Sequence, residues 1–336
     1  MSVPTLTFFN NKGGVGKTTL VYHLSTMMAR FGVRVVAADY DPQANLTSAF
    51  LEDATILDFL DSTEEVLTIY QALRRLTDGS GDILPLRAFA EFDDPLALIP
   101  GDLRLSGFEQ QLADDWSNNF QGASRTRALR TTSALWRVTQ QVARDFKADL
   151  ILMDVGPNLG AINRALLIAS DYVIFPVALD LFSLQGLRNV GTTLARWRGE
   201  WGDVLIREIP SERDFDIPTG KMQPLGYIIL QHNERRGRIV SSYAEWASRI
   251  PDIYQRDILN GNDSAPQPGE SQLIGRVRHY LSLMSMAYMA RKPIFDLRAA
   301  DGAIGAHFKN VQLAHENFQE LAESILQCIG IKLPEY

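Results

Sequence analysis

Two hydrophobic periods alternate along the chain. Short, nearly unbroken apolar runs end in Gly-, Asp- or Pro-rich turns, and most are followed by a stretch whose apolar residues recur at helical spacing. Residues 4–9 form the first such run. Residues 17–31 form the first helical stretch, with Leu20, Leu24, Met27 and Met28 on one side and Gly32 as its stop. Residues 33–38, 96–100, 150–155, 172–177 and 225–230 repeat the strand signature. Strands that are apolar at every position, rather than at alternate ones, are covered on both faces, and that covering requires crossover helices. The pattern therefore predicts an α/β fold, doubly wound, with a mostly parallel sheet.

Three stretches rich in Gly, Pro, Asn and charge (79–94, 199–224 and 260–269) read as loops or insertions. None divides regions of different composition, so a single domain over residues 1–336 is expected. The chain has 336 residues, 46% hydrophobic and 22% charged, a balance that excludes disordered and coiled-coil architectures. Its only cysteine, Cys328, excludes an intramolecular disulfide framework and any Cys-pair metal or iron–sulfur site. Residues 1–11 lack the basic start of a secretory signal. No apolar run reaches the roughly 18 residues of a membrane span. The longest candidate, 150–184, is broken by Asp154, Arg164, Asp171 and Asp180. A cytoplasmic location is expected. With 33 basic and 40 acidic residues the net charge is −7, which disfavours coating nucleic acid by bulk charge but allows a local basic patch.

The strongest chemical signal is Asn11-Lys12-Gly13-Gly14-Val15-Gly16-Lys17-Thr18-Thr19, placed between a predicted strand and a predicted helix. Binding a nucleoside triphosphate needs converging backbone N–H groups, and glycines let the chain curl around the phosphate oxygens. The positive end of the following helix faces the same anion. In such a loop Lys17 reaches the β- and γ-phosphates and the Thr18 hydroxyl is a Mg²⁺ ligand. Residues 12–19 are thus the expected phosphate cradle: Lys12, Gly13, Gly14, Val15, Gly16, Lys17, Thr18 and Thr19. Asn11 stands where the standard loop has its first Gly, and a second lysine, Lys12, precedes Gly13-Gly14.

This departure resembles the deviant Walker A motif of the ParA/MinD family of P-loop ATPases. The resemblance implies ATP and Mg²⁺ as cofactors. It also implies a homodimer formed on ATP binding, in which Lys12 reaches the partner's phosphates. Asp39-Tyr40-Asp41-Pro42-Gln43-Ala44-Asn45 follows the second strand. Asp41 matches the family's aspartate for the attacking water and is also placed in the metal set. Asp39 reads either as a supporting member of that network or as a turn cap. Ala44 stands where the family usually has Gly. Residues 150–154 resemble a Walker B strand whose Asp154 holds Mg²⁺ through water. The family continues Asp-x-Pro-Pro, whereas this chain has Asp154-Val155-Gly156-Pro157, which implies a looser second switch. The expected catalytic residues are Lys12, Lys17 and Asp41; the expected metal residues are Thr18, Asp41 and Asp154.

Residues 96–102 with Leu105, Glu109 and Leu112, residues 169–177 with 182–187, and residues 291–295 with Gly302-Ala303 extend the resemblance over nearly the whole chain. They are closest to ParA-type partition ATPases and leave insertions at about 199–224 and 252–269. Such proteins bind DNA nonspecifically. Arg235, Arg236, Arg238, Arg276 and Arg278 are the expected contacts, with Arg291, Lys292 and the group Arg125, Arg127, Arg130 as further basic clusters. An activating partner protein and association with the nucleoid are implied too. The alternatives are a MinD-like membrane-associated positioning ATPase and an ATP-dependent metabolic enzyme of the same superfamily. Against the first, residues 310–329 put Glu316, Glu320 and Glu323 opposite an apolar face, where anionic lipid would repel them. The five histidines show no metal-ligand spacing.

Overall fold

In the computed structural model the described residues are 2–89, 95–120, 125–206, 214–232, 234–235, 238–239, 241–259, 272–280 and 282–333. The first half runs β1 Thr5–Phe8, α1 Lys17–Arg30, β2 Val35–Asp39, α2 Asn45–Phe50, α3 Asp53–Asp61, α4 Ile69–Thr77 and β3 Leu96–Ile99. Next come α5 Glu109–Asn118, α6 Arg125–Thr132, α7 Ala134–Phe146, β4 Leu150–Asp154, α8 Ala161–Ala169 and β5 Tyr172–Ala178. The remainder is α9 Leu181–Ile206, β6 Gln223–His232, a hairpin of β7 Glu234–Arg235 and β8 Arg238–Ile239, α10 Ser241–Ile253, β9 Leu273–Arg278, α11 Ser282–Ala290 and α12 Ala306–Ile329.

Seven strands form one sheet in the order β3-β2-β4-β1-β5-β6-β9, with every neighbouring pair parallel. The doubly wound α/β expectation is met. Successive residues of one strand serve opposite cores: Val36, Ala38, Ile151 and Met153 join the core under α4, α5, α7, α8, α9 and α10. Val35, Ala37, Leu150 and Leu152 join the core under α1, α2, α11 and α12. That is why the strands read as unbroken apolar runs. Each Val, Leu, Ile or Met side chain so withdrawn from water contributes about 2 kcal/mol.

The C-terminal helix behaves as its periodicity predicts. Val311, Phe318, Leu321 and Ile325 of α12 are buried against α1 and β9, leaving Glu316, Glu320 and Glu323 exposed. No helix among the described residues is long and apolar enough to cross a membrane.

One expectation needs correction. Residues 199–224 are not a loop throughout, because α9 continues to Ile206 and β6 begins at Gln223. The buried Trp197 and Trp201 extend the helix, and the Trp201 indole N–H donates to the Pro218 carbonyl at 3.0 Å, tying the stretch around Pro218 to α9, while residues 207–213 lie outside the described residues. Phe215 lies beneath the guanidinium groups of Arg130 and Arg137, 4.7 and 4.9 Å away. Of the insertion at 252–269, residues 252–253 close α10 and Tyr254–Ile258 form a π-helical turn, while 260–269 lie outside the described residues.

His23 is part of the joint between α1 and the chain entering α12. Its Nδ1 bonds the Thr19 carbonyl at 2.8 Å, its Nε2 accepts from the Ile294 N–H at 3.0 Å, and its ring stacks on Phe318 at 4.6 Å. Burial drives its pKa down to about 4, against the opposing pull of the Thr19 carbonyl and Asp296. The native state thus keeps His23 neutral, while the unfolded chain takes up a proton near pH 6.5. Its stabilisation is complete above that pH, is lost as pH falls toward 4, and amounts to about 3 kcal/mol. The urea midpoint should drop between pH 7 and pH 4.5, and His23→Gln should show a visibly smaller drop.

Candidate nucleotide site

The carboxyl ends of β1, β2 and β4 open on one edge of the sheet, and ligands of open α/β sheets bind at that edge. β1 leads into the loop before α1. Asn10 fixes the loop's base: its amide donates to the Pro176 carbonyl on β5 at 2.7 Å, and its Oδ1 accepts the Lys12 N–H at 3.0 Å. Gly14 and Gly16 have φ of +71° and +94°, a region that a side chain would strain. Gly16 is the N-cap of α1, no side chain caps that end, and its first turn holds no acid. The positive helix end and the loop amides therefore converge where an anion fits. Lys17 begins the helix, is buried, and donates from Nζ to the Asn10 carbonyl at 3.1 Å. Burial lowers its pKa, while the charges of Asp154 and Asp41 oppose that shift.

Asp39 and Asp154 end adjacent strands and are register partners. Asp39 Oδ2 accepts from the Thr47 N–H at 2.8 Å and the Thr47 hydroxyl at 2.7 Å, and Thr47 Oγ1 accepts the Gly101 N–H at 2.8 Å. Asp39 Oδ2 thus pins the start of α2 to the sheet, while its Oδ1 is buried with no hydrogen-bond partner among the described residues. Asp154 differs. It is fully buried, and neither carboxylate oxygen has a well-formed hydrogen bond among the described residues. Burial holds its pKa well above the carboxylate range, and the Asp39 charge adds to this, while the adjacent Thr18 hydroxyl and Lys17 ammonium pull the other way.

Orphaned buried carboxylate oxygens beside a hydroxyl suit a hard cation. Mg²⁺ fits well, because it takes one or two protein ligands and completes its shell with water and phosphate oxygens. Among the described residues no group of three or more His, Cys, Asp or Glu forms an all-protein cage, so the remaining ligands must come from elsewhere.

Asp41 lies on the turn after β2. Its Oδ1 accepts the Gln43 N–H at 3.0 Å and its carbonyl the Ala44 N–H at 2.8 Å. Ala44, in place of the expected Gly, adopts the left-handed conformation at φ 50° as N-cap of α2. Lys12 points to the rim. Its Nζ pairs with Asp180 Oδ2 at 2.5 Å, and both side chains are about one-third exposed. Next to Asp180, Leu181 and Phe182 are 48% and 74% exposed. A mostly apolar cavity beside the loop is lined by Val15, Gly16, Leu230, Val277, Arg278 and Tyr280, a surface suited to the flat face of a base.

Half of that cavity comes from β9 and the residues after it, which the hydrophobic pattern did not mark. Leu273, Ile274 and Val277 are interrupted by Gly275, Arg276 and Arg278. Their alternation was the available signal.

The expected DNA contacts fare unevenly. Arg276 is exposed on β9, whereas Arg278 borders the cavity. Arg235 and Arg238 have hairpin backbone, but their side chains, like Arg236 as a whole, lie outside the described residues. In the cluster at 125–130 two residues are engaged within the fold and one is exposed: Arg125 is buried and donates to the Val204 carbonyl at 2.6 Å, Arg130 pairs with Asp82 and Asp214, and Arg127 is exposed. Arg291 pairs with Asp53 and Lys292 with Asp301, both at 2.9 Å.

The chromosome partitioning protein ParA of Caulobacter vibrioides is 29% identical over 194 residues, 58% of this chain and 63% of that relative's length. Two solved structures share the fold. One is the Cyanothece McdA–ATP complex (TM-score 0.66, 15% identity, covering 100% of this chain and 99% of that one). The other is pNOB8 ParA bound to nonspecific DNA (TM-score 0.59, 18% identity, covering 98% and 99%). The AAA_31 family model, described as an AAA domain, matches residues 3–203. With that match on the residues that build the site, the chain belongs to the AAA_31 family and is a ParA-type P-loop ATPase relative.

Proposed function

We propose that this protein is a homodimerising switch driven by ATP, binding DNA nonspecifically in the ATP-bound dimer and leaving it after slow, partner-stimulated hydrolysis. It would act in the partition or positioning of DNA or another cargo. The observation that carries this reading is Asp154, a buried carboxylate with neither oxygen in a well-formed hydrogen bond among the described residues, beside the Thr18 hydroxyl at the mouth of the phosphate loop. The pNOB8 relative's binding to nonspecific DNA and the McdA relative's complex with ATP support it.

In this reading Lys17 and the amides of residues 13–19 hold the triphosphate, with Thr18 and Asp154 on the side of Mg²⁺. The metal supplies charge neutralisation at the phosphates. Asp41 orients the attacking water and accepts its proton. Lys12 exchanges Asp180 for the partner's phosphates, opposing the charge that develops on the transferring group. Leu181 and Phe182 would be covered in the same closure. Burial of the apolar face of α12 disfavours the MinD-like alternative, since an interfacial helix needs that face for lipid.

Retention on nonspecific duplex DNA should require ATP, fail with ADP and fall steeply with salt. Binding to anionic liposomes instead would favour the membrane alternative, and turnover only with a small carboxylate the metabolic one. Lys17→Ala should abolish nucleotide binding in a titration with labelled ATP. Asp41→Ala should cut hydrolysis by at least roughly 100-fold while leaving an ATP-bound dimer, visible by light scattering, that stays on DNA. A half-exposed ion pair is worth up to about 1 kcal/mol. Two such pairs open per dimer, so Asp180→Asn should lower the protein concentration needed for ATP-dependent dimerisation by up to about 30-fold, read by the same scattering measurement.

A further inference from the structure

The loop after Asp154 is braced from two sides. Within α8, the buried Asn163 donates from Nδ2 to the Gly156 carbonyl at 2.8 Å, the Asn158 carbonyl at 2.7 Å and Asn158 Oδ1 at 3.1 Å. Asn158 Oδ1 also accepts the Gly160 N–H at 2.9 Å. The second brace comes from another helix. Glu109, the first residue of α5, accepts the Ala161 N–H on Oε1 and the Ile162 N–H on Oε2, the latter at 3.0 Å. A helix start leaves its first N–H groups without intrahelical partners, and the usual remedy is a Ser, Thr, Asp or Asn at the N-cap. Here the N-cap is Gly160, so the cap and its negative charge are imported from α5.

Gly160 is not chosen for backbone freedom, since its φ of −79° and ψ of −177° suit any residue. What it provides is space: a Cβ there would lie 2.2 Å from Glu109 Oε1 and 2.9 Å from Asn158 Oδ1. The same interface is reinforced one turn along α8, where the Arg164 guanidinium stacks on Trp116 of α5 at 4.2 Å. At its other end the loop abuts the water-side aspartate, with a Cβ built on Gly156 falling 3.6 Å from Asp41 Oδ1.

We infer that Glu109 is a positioning residue for ATP hydrolysis: by capping α8 from α5 it sets the loop that joins Asp154 to α8 and packs against Asp41. The inference rests on the ATPase reading above. It assigns Glu109 no contact with nucleotide, so the effect should fall on turnover and not on binding.

Glu109→Ala should lower kcat by about 10-fold or more, with KM for ATP and the affinity for ADP changed less than about twofold, because the phosphate cradle lies on other elements. Amide exchange in the nucleotide-free protein should quicken at Ala161 and Ile162 and stay unchanged along α1. Glu109→Gln, which keeps an acceptor oxygen but loses the charge, should fall in between. Gly160→Ala leaves Glu109 intact yet displaces its carboxylate, so it should reproduce the kcat loss, and the double variant should be no worse than either single one. Unchanged kcat in Glu109→Ala would overturn the inference. So would ADP affinity and melting temperature falling in step with kcat, or effects of the two substitutions that multiply. If the unmodified chain shows no turnover of Mg²⁺-ATP, the ATPase reading itself fails and takes this inference with it, a result distinct from a Glu109 variant that matches an active parent.

Discussion

Two carboxylates meet at the ends of neighbouring parallel strands, and much of the site answers to that meeting. Parallel pairing brings every strand's carboxyl end to one edge of the sheet, and the register of β2 with β4 sets Asp39 beside Asp154. Both are fully buried, which raises the proton affinity of each; the Asp39 charge adds to this at Asp154, and the Asp41 charge adds to it at Asp39. The protein settles this unequally. Asp39 gives one oxygen to two donors of Thr47 and so ties α2 to the sheet. Asp154 is left with Thr18 and Lys17 as its near neighbours of opposite tendency. An arrangement that ties one oxygen of Asp39 and leaves both oxygens of Asp154 without a well-formed bond suits a bound cation, whose charge would favour the ionised acid over the protonated one.

Most of this was legible in the sequence wherever the signal was local. The phosphate loop announces itself through glycines and a following helix, and the buried strands through apolar residues facing two cores at once. What escaped was non-local. β9 is interrupted by arginines and lacks an apolar run, so its contribution to the cavity beside Gly16 shows only in space. Arg125 reads as a surface base in sequence, but the Val204 carbonyl on α9 takes its guanidinium inside. The partner of Lys12 is Asp180, and the cap of α8 is Glu109. No periodicity links such pairs, because tertiary packing alone brings them together.

At the loops after Asp41 and Asp154 the chain carries Ala44 and Gly156 where the resemblance leads one to expect Gly and Pro, and the structure treats the two positions differently. At Ala44 the left-handed backbone is retained without glycine, at a cost of roughly 1 kcal/mol. The turn is held there by the Ala44 N–H to Asp41 carbonyl bond and by the Thr47 tie on α2. At Gly156 the ring that would restrict the chain is missing, and the side chain of Asn163 fixes the carbonyls at 156 and 158 instead. A constraint that proline builds into the covalent chain is replaced by hydrogen bonds from the next helix. The loop's geometry then depends on where α8 sits, and through Glu109 on where α5 sits.

The charges around the site also differ in how readily they can change partners. Asp154 and Lys17 are buried, where moving an ionised group away from an opposite charge costs more than it would in water. Lys12 and Asp180 are each about one-third exposed, where water replaces a lost partner and the pair is worth at most about 1 kcal/mol. An assembly step that exchanges Asp180 for a phosphate on another copy therefore has a small barrier to overcome in the monomer and a multiply charged anion to gain in the dimer. The buried group need not move for this to happen. In the proposed reading that division would put contact with a second copy at the rim and the metal in the interior, with α9 and its exposed Leu181 and Phe182 between the two.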